Sequence, residues 1–434
     1  MGVLGVIWNN IIGCFTMEPI GYGKKSSDIS LYQDVAKKRV AIITMFHNSI
    51  NYGGVLQAYA LQTTIQNLGF DCDVIRYSKN EKAVTISAVK RELLEGSSTL
   101  EHITKIYDLF VRTVRYILKN AFKKLVLKIY LDQKISLRKN AFAIFNKEHV
   151  PSTKPYTDET ISECVEDYDI FVCGSDQIWN PKGFTPAYFL DFVPESKLKI
   201  AYAPSIALNS LIDPEIACIQ PLVNRFDAIS VREERGKELV EMLTDKEVYW
   251  VLDPTLLLEY DEWKKIIRPY PIKRPYIFCY MLGKSKENKQ FVLNVAEKLG
   301  MPVVTIPFVT KDNFISLTYG DIWVYDAGPG EFLSLIQNAR YVITDSFHGS
   351  VFSIIFRKNF FTLKRSNDDT RSSVNSRVYS LLEICQLEDR LINDVGSFDL
   401  ANFANEIDYE TVFAHLNKKR EQSLKFLVQA LSCG

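Results

Sequence analysis

Residues 341–356, YVITDSFHGSVFSIIF, decide how the rest of the chain is read. The opening of one aromatic and three β-branched residues, Tyr341, Val342, Ile343 and Thr344, halts at the polar pair Asp345 and Ser346, and a strongly apolar run resumes after Gly349. Pattern and punctuation predict a strand, a tight turn and a buried helix, with His348 at or just inside the helix start. In open α/β sheets ligands gather beyond the carboxyl ends of the strands, so a titratable side chain there faces a crevice. His348 is the first candidate for chemistry.

The same rhythm runs outward in both directions. From Arg39, RVAIITMF is a buried-strand run, HNSINYGGV a loop, and VLQAYALQTTIQNLG a helix that Gly69 ends as a C-cap would, before the strand CDVIRY. Gly53 and Gly54, beside Asn51 and Tyr52, sit at this first strand-to-helix crossing. They either let the backbone approach an anion or form a plain tight turn. DIFVCGSDQIWNP, KIAYAPSI, FDAISVREERGKELV and VYWVLDPTLLL continue the series, with Asp253 and Pro254 at the last strand end, where the aspartate reads as a structural turn residue rather than a catalyst. IIRPYPIKRP then interrupts it and puts a domain boundary near 265–275. Beyond lie YIFCYMLG, a helix over 286–299, PVVTIP, a helix over 332–339, the opening stretch and FFTLKR. Such a series implies a second parallel sheet with helices on both faces.

The expected organisation is an irregular N-terminal extension over 1–38, an N-terminal Rossmann-like domain over 39–268, a C-terminal one over 269–400, and a helix within 401–434 packing back on the first domain. A helical excursion over about 80–150 breaks the first domain. Within it Ile103, Tyr107, Phe110, Val114, Ile117, Ala121 and Leu125 recur at helical spacing, opposite Arg112, Arg115, Lys119 and Lys123. The basic helix, about 103–130, reads either as a solvated face or as a peripheral membrane contact for anionic lipids or a lipid-linked substrate.

Composition bounds the function. Across 434 residues Lys plus Arg equals Asp plus Glu at 52 each, so net charge lends no support to nucleic-acid binding. The cysteines (Cys14, Cys72, Cys164, Cys173, Cys218, Cys279, Cys385, Cys433) form no clustered zinc clamp and read as reduced thiols. MGVLGVIWNNIIGCF lacks a basic leader and is too short to span a bilayer, so a cytoplasmic location is expected. His47 follows the first strand without a pattern that separates a cleft residue from a loop residue. His102, His149 and His415 stand in charged surroundings and receive no role.

NYGGVLQAYALQ (51–62), VCGSDQIWN (172–180), AISVREERG (228–236), VLDPTLLL (251–258) and ITDSFHGSVFSIIF (343–356) occur in the order and approximate spacing of the polysaccharide pyruvyl transferase family. The chain resembles that family over about residues 40–385. The resemblance implies an α/β fold of two Rossmann-like domains facing across a cleft, GT-B-like. It also implies transfer of a pyruvyl group from phosphoenolpyruvate, as co-substrate, to a hexose of a surface polysaccharide or its precursor, forming a ketal. No other cofactor and no metal are implied. The acceptor would be a saccharide, free or lipid-linked, met in the bacterial cytoplasm or at the inner face of the membrane.

Ketal formation needs a group that gives and takes a proton near neutral pH, which suits histidine. His348 matches the family histidine and is assigned as general acid/base, with Asp176 as a second. Arg232 matches an arginine implied in donor binding, joined there by Ser346, Gly349, Lys364 and Arg365. Some members carry arginine where this chain has Ser346, so either another cation, Lys364, Arg365 or Arg371, fills in, or the donor differs. Asn51, Tyr52, Gly53, Ser175, Gln177 and Trp179 are assigned to the acceptor, the indole by stacking on a sugar or else plugging the domain interface. Two other classes share these features: a glycosyltransferase using a nucleotide sugar, and a non-catalytic glycan-binding protein.

Overall fold

The computed structural model describes residues 38–79, 132–307, 319–365, 371 and 375–433. The expectations for the extension and the basic helix of about 103–130 lie outside the described residues, except Lys38. Among the described residues of the first half seven strands form one sheet. They are β1 Arg39–Ile43, β2 Asp71–Tyr77, β3 Ser152–Tyr156, β4 Ile170–Cys173, β5 Leu198–Ala201, β6 Ala228–Val231 and β7 Val248–Trp250. The second half contributes six: β8 Ile277–Tyr280, β9 Val303–Thr305, β10 Ile322–Trp323, β11 Tyr341–Thr344, β12 Asn359–Leu363 and β13 Leu391–Ile392. Every neighbouring pair in both sheets is parallel. Strands such as Ile170–Cys173 and Ile277–Tyr280 are buried throughout because helices cover both faces, which is why they read as unbroken apolar runs.

Strand order is β3-β2-β1-β4-β5-β6-β7 in one sheet and β10-β9-β8-β11-β12-β13 in the other. The winding direction therefore reverses between β1 and β4, and again between β8 and β11. At such reversals the connecting loops part and leave a crevice at the strand ends. Each is pinned by a threonine: Thr44 Oγ1 donates to Ser175 O at 2.7 Å, and Thr344 Oγ1 to Tyr280 O at 2.5 Å.

The two halves share core. The Tyr52 ring stacks on Phe332 at 4.5 Å, Trp263 meets Phe352 edge-on at 4.8 Å, and Tyr52 Oη donates to Ala327 O at 2.7 Å. A helix over 132–149, the described end of the excursion, reaches the second half through Arg138. Its buried guanidinium donates to the carbonyls of Pro307, Val324 and Tyr325 at 2.9 to 3.2 Å. The last helix, Tyr409–Ser432, returns to the first half, where Ser423 Oγ accepts from Leu252 N at 2.9 Å and Arg420 Nε donates to Leu256 O at 2.7 Å.

Candidate active site

The two reversal points meet. Gly53 opens the helix Tyr52–Asn67 after β1, and a Cβ built on it would lie 1.9 Å from His348 Nδ1, so only glycine allows this approach. His348 lies in the first turn of the helix Phe347–Ile355. That helix starts where β11 stops because Ser346, in extended backbone conformation, caps it by accepting from Gly349 N at 3.3 Å. Gly349 seats the first turn against the strand end, where a Cβ would come 2.4 Å from Thr344 Oγ1. Ser346 and Gly349 thus build the turn that presents the histidine.

His348 is 7% exposed, and its Nε2 stands 3.7 Å from Asp253 Oδ2 with no hydrogen-bond partner among the described residues. Asp253 is the hub of the site. Its Oδ2 accepts from Arg232 Nη1 at 2.8 Å and lies 2.8 Å from Ser175 Oγ, while Oδ1 accepts from Thr255 N at 3.0 Å and Thr255 Oγ1 at 2.6 Å. Burial alone pushes its pKa up, but nearby His348 and Arg232, with the Thr255 hydroxyl, outweigh this and hold it well below the usual carboxylate range. The turn role read from the sequence is real, since Asp253 caps the short helix Pro254–Leu256. The contact with His348 depends on a residue nearly a hundred positions away and has no local signal.

Arg232 has no exposed side-chain surface. Besides Asp253 it faces Asp176 Oδ1 at 3.5 Å and Glu233 Oε2 at 3.8 Å, and its guanidinium lies 4.9 Å from the centre of the Phe347 ring. Burial works against its charge, but Asp253, Asp176 and Glu233 raise its pKa overall. Its charge is thereby matched within the protein. Nε and Nη2 have no hydrogen-bond partner among the described residues.

One step away, in the helix Ser376–Cys385, stands Arg377, which among the described residues forms no ion pair with an acid. This guanidinium is 4% exposed, and with the Gln177 amide turned toward it the Gln177 oxygen accepts from Nη1 and Nη2 at 2.9 and 3.1 Å. Burial, then the neighbouring Arg232 and Arg365, lower its pKa to about 9, against the weaker pull of Glu233 and Asp176. Arg365 donates from Nη2 to Asp345 O at 2.8 Å, with Nε 3.8 Å from Asp345 Oδ1. Asp345 itself is spent on Leu282 N and Gly283 N, each at 2.7 Å.

The remaining expected residues divide. Asn51 Nδ2 donates to Asp176 Oδ2 at 3.2 Å, so Asn51, Asp176, Ser175, Gln177 and Gly53 join the His348 group. Asp176 has φ +81° and ψ −177°, a backbone region that essentially only glycine occupies without strain, and it persists because its carboxylate, amide neighbours and carbonyl are all held. Tyr52 is 1% exposed in the shared core, where burial pushes its phenol up to about 12. Trp179 is 1% exposed, stacked on Phe189 at 5.2 Å and tilted against Phe226 at 5.4 Å. Neither ring has a free face for a sugar, and Trp179 fills the first domain's own core rather than the domain interface. Lys364 lies over the Tyr379 ring at 5.7 Å, and Arg371 is paired with Glu215 and donates to Ser210 O at 3.0 Å. The sequence reading missed Arg377, which in RSSVNSRVYS is indistinguishable from a solvated arginine at a helix start. It also missed Glu233, whose Oε1 accepts from Ser205 Oγ at 2.7 Å.

Among the described residues no group of three or more His, Cys, Asp or Glu side chains is placed to hold a metal, and no helix is long and apolar enough to cross a membrane.

A family model described as Polysaccharide pyruvyl transferase matches residues 51–367. No curated protein matches the chain significantly. Similar solved structures include the UDP-GlcNAc 2-epimerase of Neisseria meningitidis bound to UDP-GlcNAc, at 10% identity and TM-score 0.44, and that of Methanocaldococcus jannaschii, at 11% and 0.44. MurG of Acinetobacter baumannii follows at 8% and 0.41. Each alignment covers 92% of this chain and 100% of the other.

Proposed function

Because the chain belongs to the polysaccharide pyruvyl transferase family, we propose that it moves the pyruvyl unit of phosphoenolpyruvate onto two hydroxyls of one hexose in a surface polysaccharide or its precursor. The observation that carries this reading is a histidine buried at the meeting of two sheet reversals, with an incompletely compensated arginine cluster beside it. An anionic donor needs those cations, and an enol ether needs that proton carrier.

The chemistry balances with these groups. His348 protonates the methylene carbon, leaving an oxocarbenium centre that the first sugar hydroxyl attacks. Loss of inorganic phosphate regenerates such a centre, and the second hydroxyl closes the ring. Of the two hydroxyl protons, one replaces that delivered to carbon and the other leaves with phosphate. Asp253, kept ionised by its surroundings, stabilises the protonated imidazole and orients it. Arg377 and Arg365 supply the charge that Ser346 lacks, and Arg232 holds Asp176 and Asp253 in place. Asp176, reached by Asn51 and standing at a strained backbone position, faces the acceptor hydroxyls.

The full chain is incubated with phosphoenolpyruvate and simple galactosides, mannosides or N-acetylhexosaminides, following phosphate release and the ketal by NMR. Phosphate release with a ketal product is expected. A protein stabilised against heat only by nucleotide sugars, with no phosphate released from any mixture, overturns the reading. His348→Gln is expected to lower turnover by about 100-fold or more; undiminished turnover removes it from the mechanism.

A further inference from the structure

His348 and Asp253 are each fixed within their own half, and the gap between them is left to whatever joins the halves. The carboxylate is held by Arg232, Ser175 and Thr255, the imidazole by the turn through Thr344 and Ser346. At 3.7 Å the pair stands just outside hydrogen-bond range, and His348 Nε2 has no such partner among the described residues. A relative shift of about 0.5 Å between the halves therefore decides whether the carboxylate binds the imidazolium.

The helix Tyr409–Ser432 touches both halves at the places that matter to this pair. Asp408 caps its start through Glu410 N and Thr411 N, and the Tyr409 hydroxyl donates to Lys358 O and lies 3.4 Å from Ser353 O. Those two carbonyls stand at the far end of the helix Phe347–Ile355, whose first turn carries His348. Arg357, beside them, pairs with Glu410 at 2.7 Å. About 17 to 21 Å further along, Arg420 and Ser423 grip the first half on either side of Asp253. Ser423 Oγ accepts from Leu252 N at 2.9 Å and donates to Lys419 O at 2.8 Å, so one buried hydroxyl is used in both directions. Arg420, 2% exposed, holds Leu256 O at the end of the short helix that Asp253 caps. Lys419 adds a third support, 4.2 Å from the centre of the Trp250 ring, whose Nε1 donates to Arg232 O at 3.2 Å.

We propose that this helix is a strut that sets His348 against Asp253 across the two halves, with Tyr409, Arg420 and Ser423 as positioning residues for the proton transfer. The inference rests on the transferase reading and adds to it residues outside the crevice that touch neither substrate. A helix of this length transmits position rather than absorbing it, because each backbone group is bonded one turn away. Leu416, Leu424 and Leu427, each at most 1% exposed, supply its apolar packing. Its buried polar groups are spent differently, on main-chain atoms that flank the pair and so fix where the neighbouring side chains point.

The test compares the full chain with Ser423→Ala, Tyr409→Phe and, as a control on the same helix, Leu427→Ala. The first two each remove a bond of the strut, whereas the control removes core packing and is expected to lower the melting temperature at least as much. Turnover is measured well below every melt, with phosphoenolpyruvate and an acceptor that wild type uses. Ser423→Ala and Tyr409→Phe are expected to lose about tenfold or more in kcat, with KM for both substrates unchanged, and Leu427→Ala to keep its kcat. A loss of kcat in the two strut variants no greater than in the control overturns the proposal. Should Leu427→Ala fail to fold, Val412→Ala takes its place. Acylation of His348 by diethyl pyrocarbonate, followed by peptide mass spectrometry, supplies a readout without turnover. An imidazole loosened from its seat beside Asp253 and Gly53 is expected to react several-fold faster in the strut variants than in the control. Equal rates in all three overturn the strut. If wild type forms no ketal with any acceptor but the acylation difference stands, the transferase reading fails and the strut survives.

Discussion

Asp253 joins three functions in one carboxylate: it caps a short helix, neutralises Arg232 and faces His348. Replacing it by asparagine leaves Arg232 buried beside one fewer acid, and breaking a buried ion pair of this kind costs about 3–5 kcal/mol. Asp253→Asn is therefore expected to unfold at lower denaturant and to lose activity. The pH dependence has a definite sign. The folded-state pKa is depressed, so its contribution to stability is present above the carboxylate's unfolded value, about 3.9, and is lost as pH falls below it. Acid titration of stability should accordingly fall less steeply for Asp253→Asn than for wild type below about pH 4. Arg377 is the opposite case, a buried charge that burial and the neighbouring Arg232 and Arg365 disfavour. Arg377→Gln is expected to raise the KM for phosphoenolpyruvate by about tenfold or more while leaving the unliganded protein at least as stable. Kinetics and thermal melts check both halves of that statement.

At the scale of elements, the site is made by two helix starts brought nose to nose. The helix Phe347–Ile355 was legible in outline: a β-branched run, a polar pair, a glycine and an apolar run mark strand, turn and helix, and the structure has β11, a turn in which Ser346 proves to be the cap, and the helix in that order. The start of Tyr52–Asn67 was legible as a crossing, but not the reason for its glycines. Gly53 is needed because the His348 ring occupies the place of its Cβ. Gly53→Ala is expected to displace the imidazole and cut turnover by about 100-fold with a much smaller change in stability, as paired kinetics and melts would show. Trp179 marks the limit of reading elements alone. In VCGSDQIWN it follows the strand end like a ligand-stacking aromatic, yet the short helix Gln177–Trp179 turns it inward onto Phe189. Local pattern cannot fix that direction, because it depends on a ring ten residues away closing over the indole.

Over the whole molecule, shared core couples the two sheets. Tyr52 carries part of this coupling through its stack on Phe332 and its bond to Ala327 O. Tyr52→Phe keeps the stack and leaves that carbonyl unpaired, so stability should fall by about 1 kcal/mol. The acceptor KM should be unchanged, because the phenol is internal; a raised acceptor KM would return Tyr52 to the binding surface. The last helix and Arg138 bind the halves from other sides, the helix on Leu252 and Leu256, the arginine on carbonyls of the second half. By itself the sequence determined the two parallel sheets, their helices, and the family blocks that carry His348, Asp176 and Arg232, because apolar periodicity and turn chemistry are local and survive in one dimension. Tertiary structure alone decided that Arg377 rather than Lys364 or Arg371 stands beside Arg232, that Asp253 faces the histidine, and that Tyr52 and Trp179 are core. Those facts concern where charges and rings end up relative to residues tens to hundreds of positions away, and burial and electrostatics there are properties of the packed chain.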